Sequence, residues 1–170
     1  MSTVQLHHAT RADAADLIAA NRDNQHYHAP WVTTFTDQTG FDHWLARTLN
    51  GPNMALIARE TASNRVAGVI NLTAITGGAF QSAYLGYYGM SEFRRMGLMT
   101  AALRAAAVFA FDELGLHRLE ANIQPENTAS IALVRRLGFD KEGYSPRYLR
   151  IDGVWRDHER WALLADAAAH

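Results

Sequence analysis

Three groups of residues in this chain have the types and spacing that chemistry needs. Arg94, Arg95 and Gly97 stand just before residues 101–114, a run of strong helix formers without Gly or Pro. Residues 94–99 therefore supply a helix start, where the first N–H groups lack internal partners and the aligned peptide dipoles leave partial positive charge. A glycine that lets a ligand approach the backbone, together with two fixed cations, suits a pyrophosphate better than a single carboxylate. The second group is Glu120, Asn122 and Gln124, which alternate with Ala121 and Ile123 and so share one face of a strand. Of the three only Glu120 is a carboxylate, so it is the one that could take up a proton, directly or through water. Its structural alternative is an ion pair with Arg118. The third group, Asn127 and Ser130, sits at another helix start, where both side chains can cap backbone N–H groups or face a ligand.

The elements that must position these groups follow from periodicity and turn chemistry. Val4 to His8 alternates as a short strand, and Arg11 to Asn21 forms a helix anchored by Leu17 and Ile18 with Thr10 as N-cap. Residues 22–35 are irregular, aromatic and broken by Pro30; Thr36 and Asp37 then cap a second helix carrying Phe41, Trp44, Leu45 and Leu49. Asn53 to Glu60 and Arg65 to Ala74 pair as a hairpin around a polar turn, and Gln81 to Tyr88 follows as the central strand. Next come the Ala-rich helix, a strand over Arg118 to Gln124, a helix over Thr128 to Leu137, and strands over Lys141 to Arg150 and Val154 to Leu164. The last two flank Asp152 and Gly153, a pair that favours positive φ at a tight turn. The Ala-rich tail from 165 to 169 is expected to fray.

Composition narrows the function classes. A chain of 170 residues, 48% hydrophobic and 19% charged, is expected to form one domain over residues 1–170, burying roughly two-thirds of its unfolded surface without metals or disulfides. No apolar run approaches the roughly 20 residues of a membrane span, so no membrane partner is expected. The absence of cysteine removes a thiolate nucleophile and a disulfide scaffold. With no secretory signal, the expected location is the cytoplasm. A net charge of −1 predicts no general nucleic-acid binding. The scattered histidines lack a metal-ligand spacing, so no metal is expected.

Taken together, the basic turn before the Ala-rich helix and the stretch from His117 to Phe139 resemble the GNAT family, the Gcn5-related N-acetyltransferases. That family's turn reads Arg or Gln, two residues, Gly, one residue, then Gly or Ala; Arg94, Gly97 and Met99 occupy the marked positions, and Met99 departs from the small residue. The finer resemblance, spanning roughly residues 82 to 164, is to bacterial ribosomal-protein N-terminal acetyltransferases of RimJ/RimL type. It rests on Asn127 with Ser130, on Leu137-Gly138-Phe139, and on Tyr148-Leu149 followed by Asp152-Gly153 and Trp155-Arg156-Asp157-His158.

The resemblance implies an α/β (α+β) fold with a mixed, mostly antiparallel seven-stranded sheet, about four helices and a splay between strands at the acetyl-CoA site. It implies acetyl-CoA as cosubstrate, held by Gly86, Tyr87 and Tyr88 along the central strand, by Arg94, Arg95, Met96, Gly97, Leu98, Met99 and Thr100 around the helix start, and by Asn127. Amide formation from a thioester needs a neutral amine beside the acyl carbon, a donor for the developing oxyanion and a proton source for the departing thiolate. Ser130 is the proton donor that the finer resemblance implies; the Tyr that many members place seven residues after the Asn is Val134 here, so Ser130 or a bound water must replace that phenol. The side chains of Tyr87 and Tyr88 are either simple strand packing or part of the chemistry. His26, Tyr27, His28 and Trp31 in the flap, with Asn122, Tyr148, Arg150 and Trp155, are the expected acceptor-cleft residues. The implied acceptor is the N-terminal α-amine of a protein. A small amine, an antibiotic or an amino-acid-like metabolite is the alternative, as is a CoA-binding regulator without turnover; a homodimer stays open.

Overall fold

The computed structural model describes residues 3–168; Met1, Ser2, Ala169 and His170 lie outside the described residues, so the expectation for Ala169 does too. Seven strands form one sheet in the order β1-β2-β3-β4-β5-β7-β6. They are β1 (Val4–His8), β2 (Met54–Glu60), β3 (Val66–Thr76), β4 (Ser82–Gly89), β5 (Arg118–Ile123), β6 (Asp140–Ile151) and β7 (Val154–Leu164). All neighbours are antiparallel except β4 and β5. The helices are α1 (Ala14–Asp23), α2 (Gln25–His28), α3 (Gln38–Leu49), α4 (Leu98–Val108), α5 (Thr128–Arg136) and the single turn α6 (Ala165–Ala168). No helix among the described residues is long and apolar enough to cross a membrane.

The middle of the sheet is buried on both faces, which is why β2 and β3 read as near-continuous apolar runs. On one face Ile57, Val69 and Tyr88 meet Leu17 and Ile18 of α1 and Phe41 and Leu45 of α3. On the other, Leu56, Ile70 and Leu85 meet Ala102, Leu103 and Ala106 of α4, and Leu119 and Ala121 join Val134 of α5. Asp37 caps α3 by accepting the Gly40 N–H at 2.7 Å, a bond of the kind worth about 1 kcal/mol. Phe35, Phe41 and Trp44 then stack within 5.1–5.8 Å of one another and seal the helix onto the sheet.

Some local expectations need correcting. Leu49 is 61% exposed rather than an anchor, because it falls at the last residue of α3, past the sheet. The irregular flap contains the one-turn helix α2. The Ala-rich helix ends at Val108, and the chain continues as a wider turn in which the Leu114 N–H reaches the Phe109 carbonyl at 3.2 Å. That widening buries Ala110 and returns Leu116 to the core.

β4 and β5 share only three rungs, the last of them Tyr84 opposite Glu120. Beyond it the strands diverge, so the β4 backbone from Leu85 to Gly89 stays paired with β3 alone. α4 and α5 begin at the same end of the sheet, beside this splay.

Candidate active site

The start of α4 is an open anion cradle. Gly97 is its N-cap at φ +77°, a left-handed conformation that suits glycine, and it has no side chain to bond the first helical N–H groups. A Cβ built on Gly97 would meet nothing within 4 Å, so the backbone faces open space. Arg94, Arg95 and Met96 are exposed, and among the described residues neither arginine has a carboxylate within 4.0 Å. The nearest acid in sequence, Glu92, is paired with Arg65, whose guanidinium lies 5.9 Å from the Phe93 ring centroid.

The position at which the turn departs from the family pattern has a packing explanation. Met99 points into the sheet, where its side chain fills the notch over Gly68 and Gly89: a Cβ on Gly68 would lie 2.3 Å from Met99 Sδ. Leu98 is buried in the α4–sheet interface as well. Their side chains are thus turned away from the cradle, and only their backbone N–H groups face it. Thr100, in the same first turn, is half-buried.

Beside the splay, Gly86 leaves one face of β4 open, with nothing within 4 Å of a built Cβ. Tyr87 and Tyr88 point to opposite faces. Tyr88 is buried among α1 and the flap, with its hydroxyl accepting from Asn21 Nδ2 at 3.4 Å and its ring 4.8 Å from that of His28. Burial pushes its phenol pKa well above the ordinary value. Tyr87 reaches α5, where its hydroxyl lies 2.6 Å from Ser130 Oγ. Burial pushes Tyr87 up to about 12, partly offset by the Ser130 bond. Asn127 caps α5 by accepting the Ser130 N–H at 3.2 Å, so one side chain fixes the serine backbone and another engages its hydroxyl. Val134, where many members of the resembled family carry a Tyr, is fully buried in the core. A phenol nevertheless stands beside Ser130, supplied by β4.

The opposite face of β5 carries the polar row expected from alternation. Glu120 accepts from Arg118 Nε at 2.7 Å, and Arg118 also holds Glu142; the ion pair named as its structural alternative is therefore present. Asn122 Oδ1 is buried without a hydrogen-bond partner, and so is Nε of Arg160, the cross-strand neighbour of Asn122. The Arg160 guanidinium fits over Gly143, where a Cβ would come within 2.3 Å of it. Tyr84 lies on the last rung, opposite Glu120, and its phenol is pushed up by the neighbouring Tyr148 hydroxyl and by burial.

Tyr148 reaches this cluster because three residues of β6, Pro146 to Tyr148, oppose the single residue Asp157 of β7. Asp157 accepts the Arg147 N–H at 2.7 Å and the Tyr144 hydroxyl, holding Arg147 at φ +48° and turning Tyr148 toward His158, with rings 6.2 Å apart. Alternation along β7 places Trp155 on the face of Glu159 and Trp161, opposite His158 and Arg160, and it is 56% exposed there.

The flap closes the other wall. His26 and Tyr27 are exposed on α2 and Trp31 is half-buried, while the carbonyls of Pro30 and Trp31 accept from Gln124 Nε2 at 3.3 and 3.5 Å. A cleft of about 230 Å³ lies between the flap and the β6–β7 turn, lined by Gln25, His28, Thr33, Thr34, Ile151 and Asp152 among others. Two flap residues reach the strand that leads to the cradle: His28 Nε2–H donates to the Gly89 carbonyl at 3.0 Å, and Asn24 Oδ1 accepts the Ser91 N–H at 2.7 Å. Burial pushes the His28 pKa down, and the Gly89 bond opposes it. Asn24 left no mark in the sequence. Tyr84 could have been found, since alternation puts it on the open face with Gly86.

Comparisons with known proteins bear on the family and the fold. Residues 3–140 match the family model described as Acetyltransferase (GNAT) domain. The chain is 34% identical over 159 residues to the Escherichia coli [Ribosomal protein uS5]-alanine N-acetyltransferase, covering 89% of this chain and 82% of that protein. It is 41% identical over 105 residues to the probable N-acetyltransferase YjcK of Bacillus subtilis, spanning 58% of that relative's length. The crystal structure of Mycobacterium smegmatis RimJ in complex with CoA-disulfide superimposes with a TM-score of 0.87 at 32% identity, covering 98% of this chain and 86% of that one.

Proposed function

The chain belongs to the GNAT family and is an acyltransferase; from that premise we propose that it moves an acetyl group from acetyl-CoA to the N-terminal α-amine of a protein, a ribosomal protein being the leading case. The observation that carries the acceptor class is the extent of similarity to the uS5-alanine enzyme, which takes in 89% of this chain and so includes acceptor-side elements as well as the cofactor half. Charge supports the same choice. A polyamine carries several positive charges, yet Asp152 is the one carboxylate in the described lining of the cleft.

The open cradle fits the group that the family uses. The α4 N–H groups, with Arg94 and Arg95, would hold its pyrophosphate, and the unpaired edge of β4 from Gly86 to Tyr88 would pair with its amide-bearing arm. Acetyl-CoA supplies an activated acetyl thioester. Ser130 offers a proton to the leaving sulfur, and a β4 backbone N–H polarises the carbonyl. Arg118 occupies one oxygen of Glu120, leaving the other to orient a water that takes the amine proton, with Asn122 beside it. We place the protein in the cytoplasm.

Thiol release from acetyl-CoA, measured against N-terminal peptides, the same peptides with blocked α-amines, and spermidine, tests the proposal. Turnover of free α-amines only is expected. Faster turnover of spermidine than of every peptide would replace the acceptor class.

A further inference from the structure

We infer that Tyr87 is a positioning residue that directs the Ser130 proton toward the leaving sulfur. The inference rests on the proposed donor role of Ser130. It starts from counting protons: the two hydroxyl oxygens lie 2.6 Å apart, each carries one proton, and only one proton can lie between them. If Ser130 donated to Tyr87, its proton would be committed to the phenol. If Tyr87 donates, the Ser130 hydroxyl keeps its own proton free to turn outward.

Chemistry selects the second arrangement. A phenol is a stronger hydrogen-bond donor than an alkanol, and an alkanol oxygen is the better acceptor. Tyr87 also lies 3.5 Å from the Ser130 carbonyl, so its hydroxyl faces two acceptors on that residue. With its pKa pushed up to about 12, Tyr87 keeps its proton throughout the working range. The Asn127 bond to the Ser130 N–H fixes the backbone that carries the hydroxyl. Ser130 is half-buried, so its free O–H can reach the groove between β4 and α5.

The proton balance is simple. As the carbon–sulfur bond breaks, the Ser130 proton passes to sulfur and negative charge grows on Oγ. The Tyr87 O–H already points at that oxygen and stabilises it, as a preorganised donor does in a site shielded from water. Ser130 then recovers a proton from solvent, into which the amine has released one. Tyr87 ends the cycle with the proton count it began with.

The test uses Tyr87→Phe, Ser130→Ala and the double variant in the full-length protein. Tyr87→Phe should lower kcat about 10- to 100-fold, at or below the low end of acid–base contributions because Ser130 itself remains, while the KM for acetyl-CoA stays within about threefold. The double variant should be no slower than Ser130→Ala, because the phenol acts only through the serine. With p-nitrophenyl acetate as acetyl donor, whose leaving group departs without a proton, Tyr87→Phe should match wild type. In the unliganded protein, the Tyr87 hydroxyl proton should appear as a slowly exchanging NMR signal coupled through space to the Ser130 β protons. Wild-type kcat in Tyr87→Phe, equal losses with both acetyl donors, or absence of that signal would each overturn the inference. Wild-type turnover in Ser130→Ala would remove instead the donor role on which it rests.

Discussion

Arg118 donates from Nε to Glu120 at 2.7 Å while its other nitrogens hold Glu142 across the sheet. One guanidinium therefore ties the last shared rung of β4 and β5 to the edge strand, and Glu120 meets the splay as a fixed anion. Arg118 is held more firmly protonated than usual, chiefly by Glu142, against the effect of burial and with Glu120 adding to it.

Glu120→Gln keeps the shape and a bond to Arg118. CoA affinity should be unchanged, and activity should fall mainly at or below neutral pH, recovering as solution deprotonates an α-amine near about pH 8. The pH–rate profile decides. A curve parallel to wild type with undiminished activity removes Glu120 from proton transfer.

Gly97→Val should weaken CoA binding at least about tenfold, since a branched Cβ enters the space through which the backbone meets the pyrophosphate and strains the φ +77° cap by about 1–2 kcal/mol. Nothing within 4 Å clashes with the new atom, so the protein should still fold. Calorimetry giving equal affinity for both forms would sink the placement.

Met99→Ala should do the reverse. Removing the side chain that fills the Gly68–Gly89 notch leaves a cavity costing about 2–5 kcal/mol, whereas CoA affinity should hold within about twofold. Lost affinity with preserved stability would mean that the thioether contacts the cofactor.

Asp13 sets an acid limit on folding. Burial alone would raise its pKa, but bonds from Arg59, His7 and Thr10 outweigh burial and lower it from 3.8 to about 2. Because the folded value lies below the unfolded one, the stabilisation is present above about pH 4 and is lost as pH falls through about 2. It amounts to about 2 kcal/mol. Chemical denaturation should show Asp13→Asn less stable than wild type at pH 7, with the gap closing in strong acid. A gap that does not depend on pH would assign the loss to packing.

Much of this was legible in the chain because periodicity and caps state it locally. The glycine at the start of α4, the Asp37 cap and the alternation of Glu120 with Asn122 each depend on residues a few positions away. What was not legible depends on contacts distant in sequence. That Met99 turns inward follows from two glycines on β3 and β4. That Tyr87 meets Ser130 follows from α5 crossing the splay, 43 residues along the chain. The face that Trp155 takes was not legible either, because composition names an aromatic without naming its face, and the bulge opposite Asp157 breaks alternation on β6 while β7 keeps it.

The anchoring of the flap at Asn24 and His28 bears on how such a protein can diversify. Both anchors bond to the backbone around Met90, at Ser91 and Gly89, so two side chains tie the flap to the chain on its way into the cradle, a path that the Met90 N–H bond to the Ala67 carbonyl also holds. The residues between them, Gln25, His26 and Tyr27, are exposed, as are Ala29, Pro30 and Thr33 beyond. Exchanges there can remodel the acceptor wall while the cofactor turn keeps its geometry. If the flap forms the proposed acceptor wall, acceptor preference and cofactor affinity should be separable in this chain, and a library confined to those positions should explore new amines on an unaltered donor site.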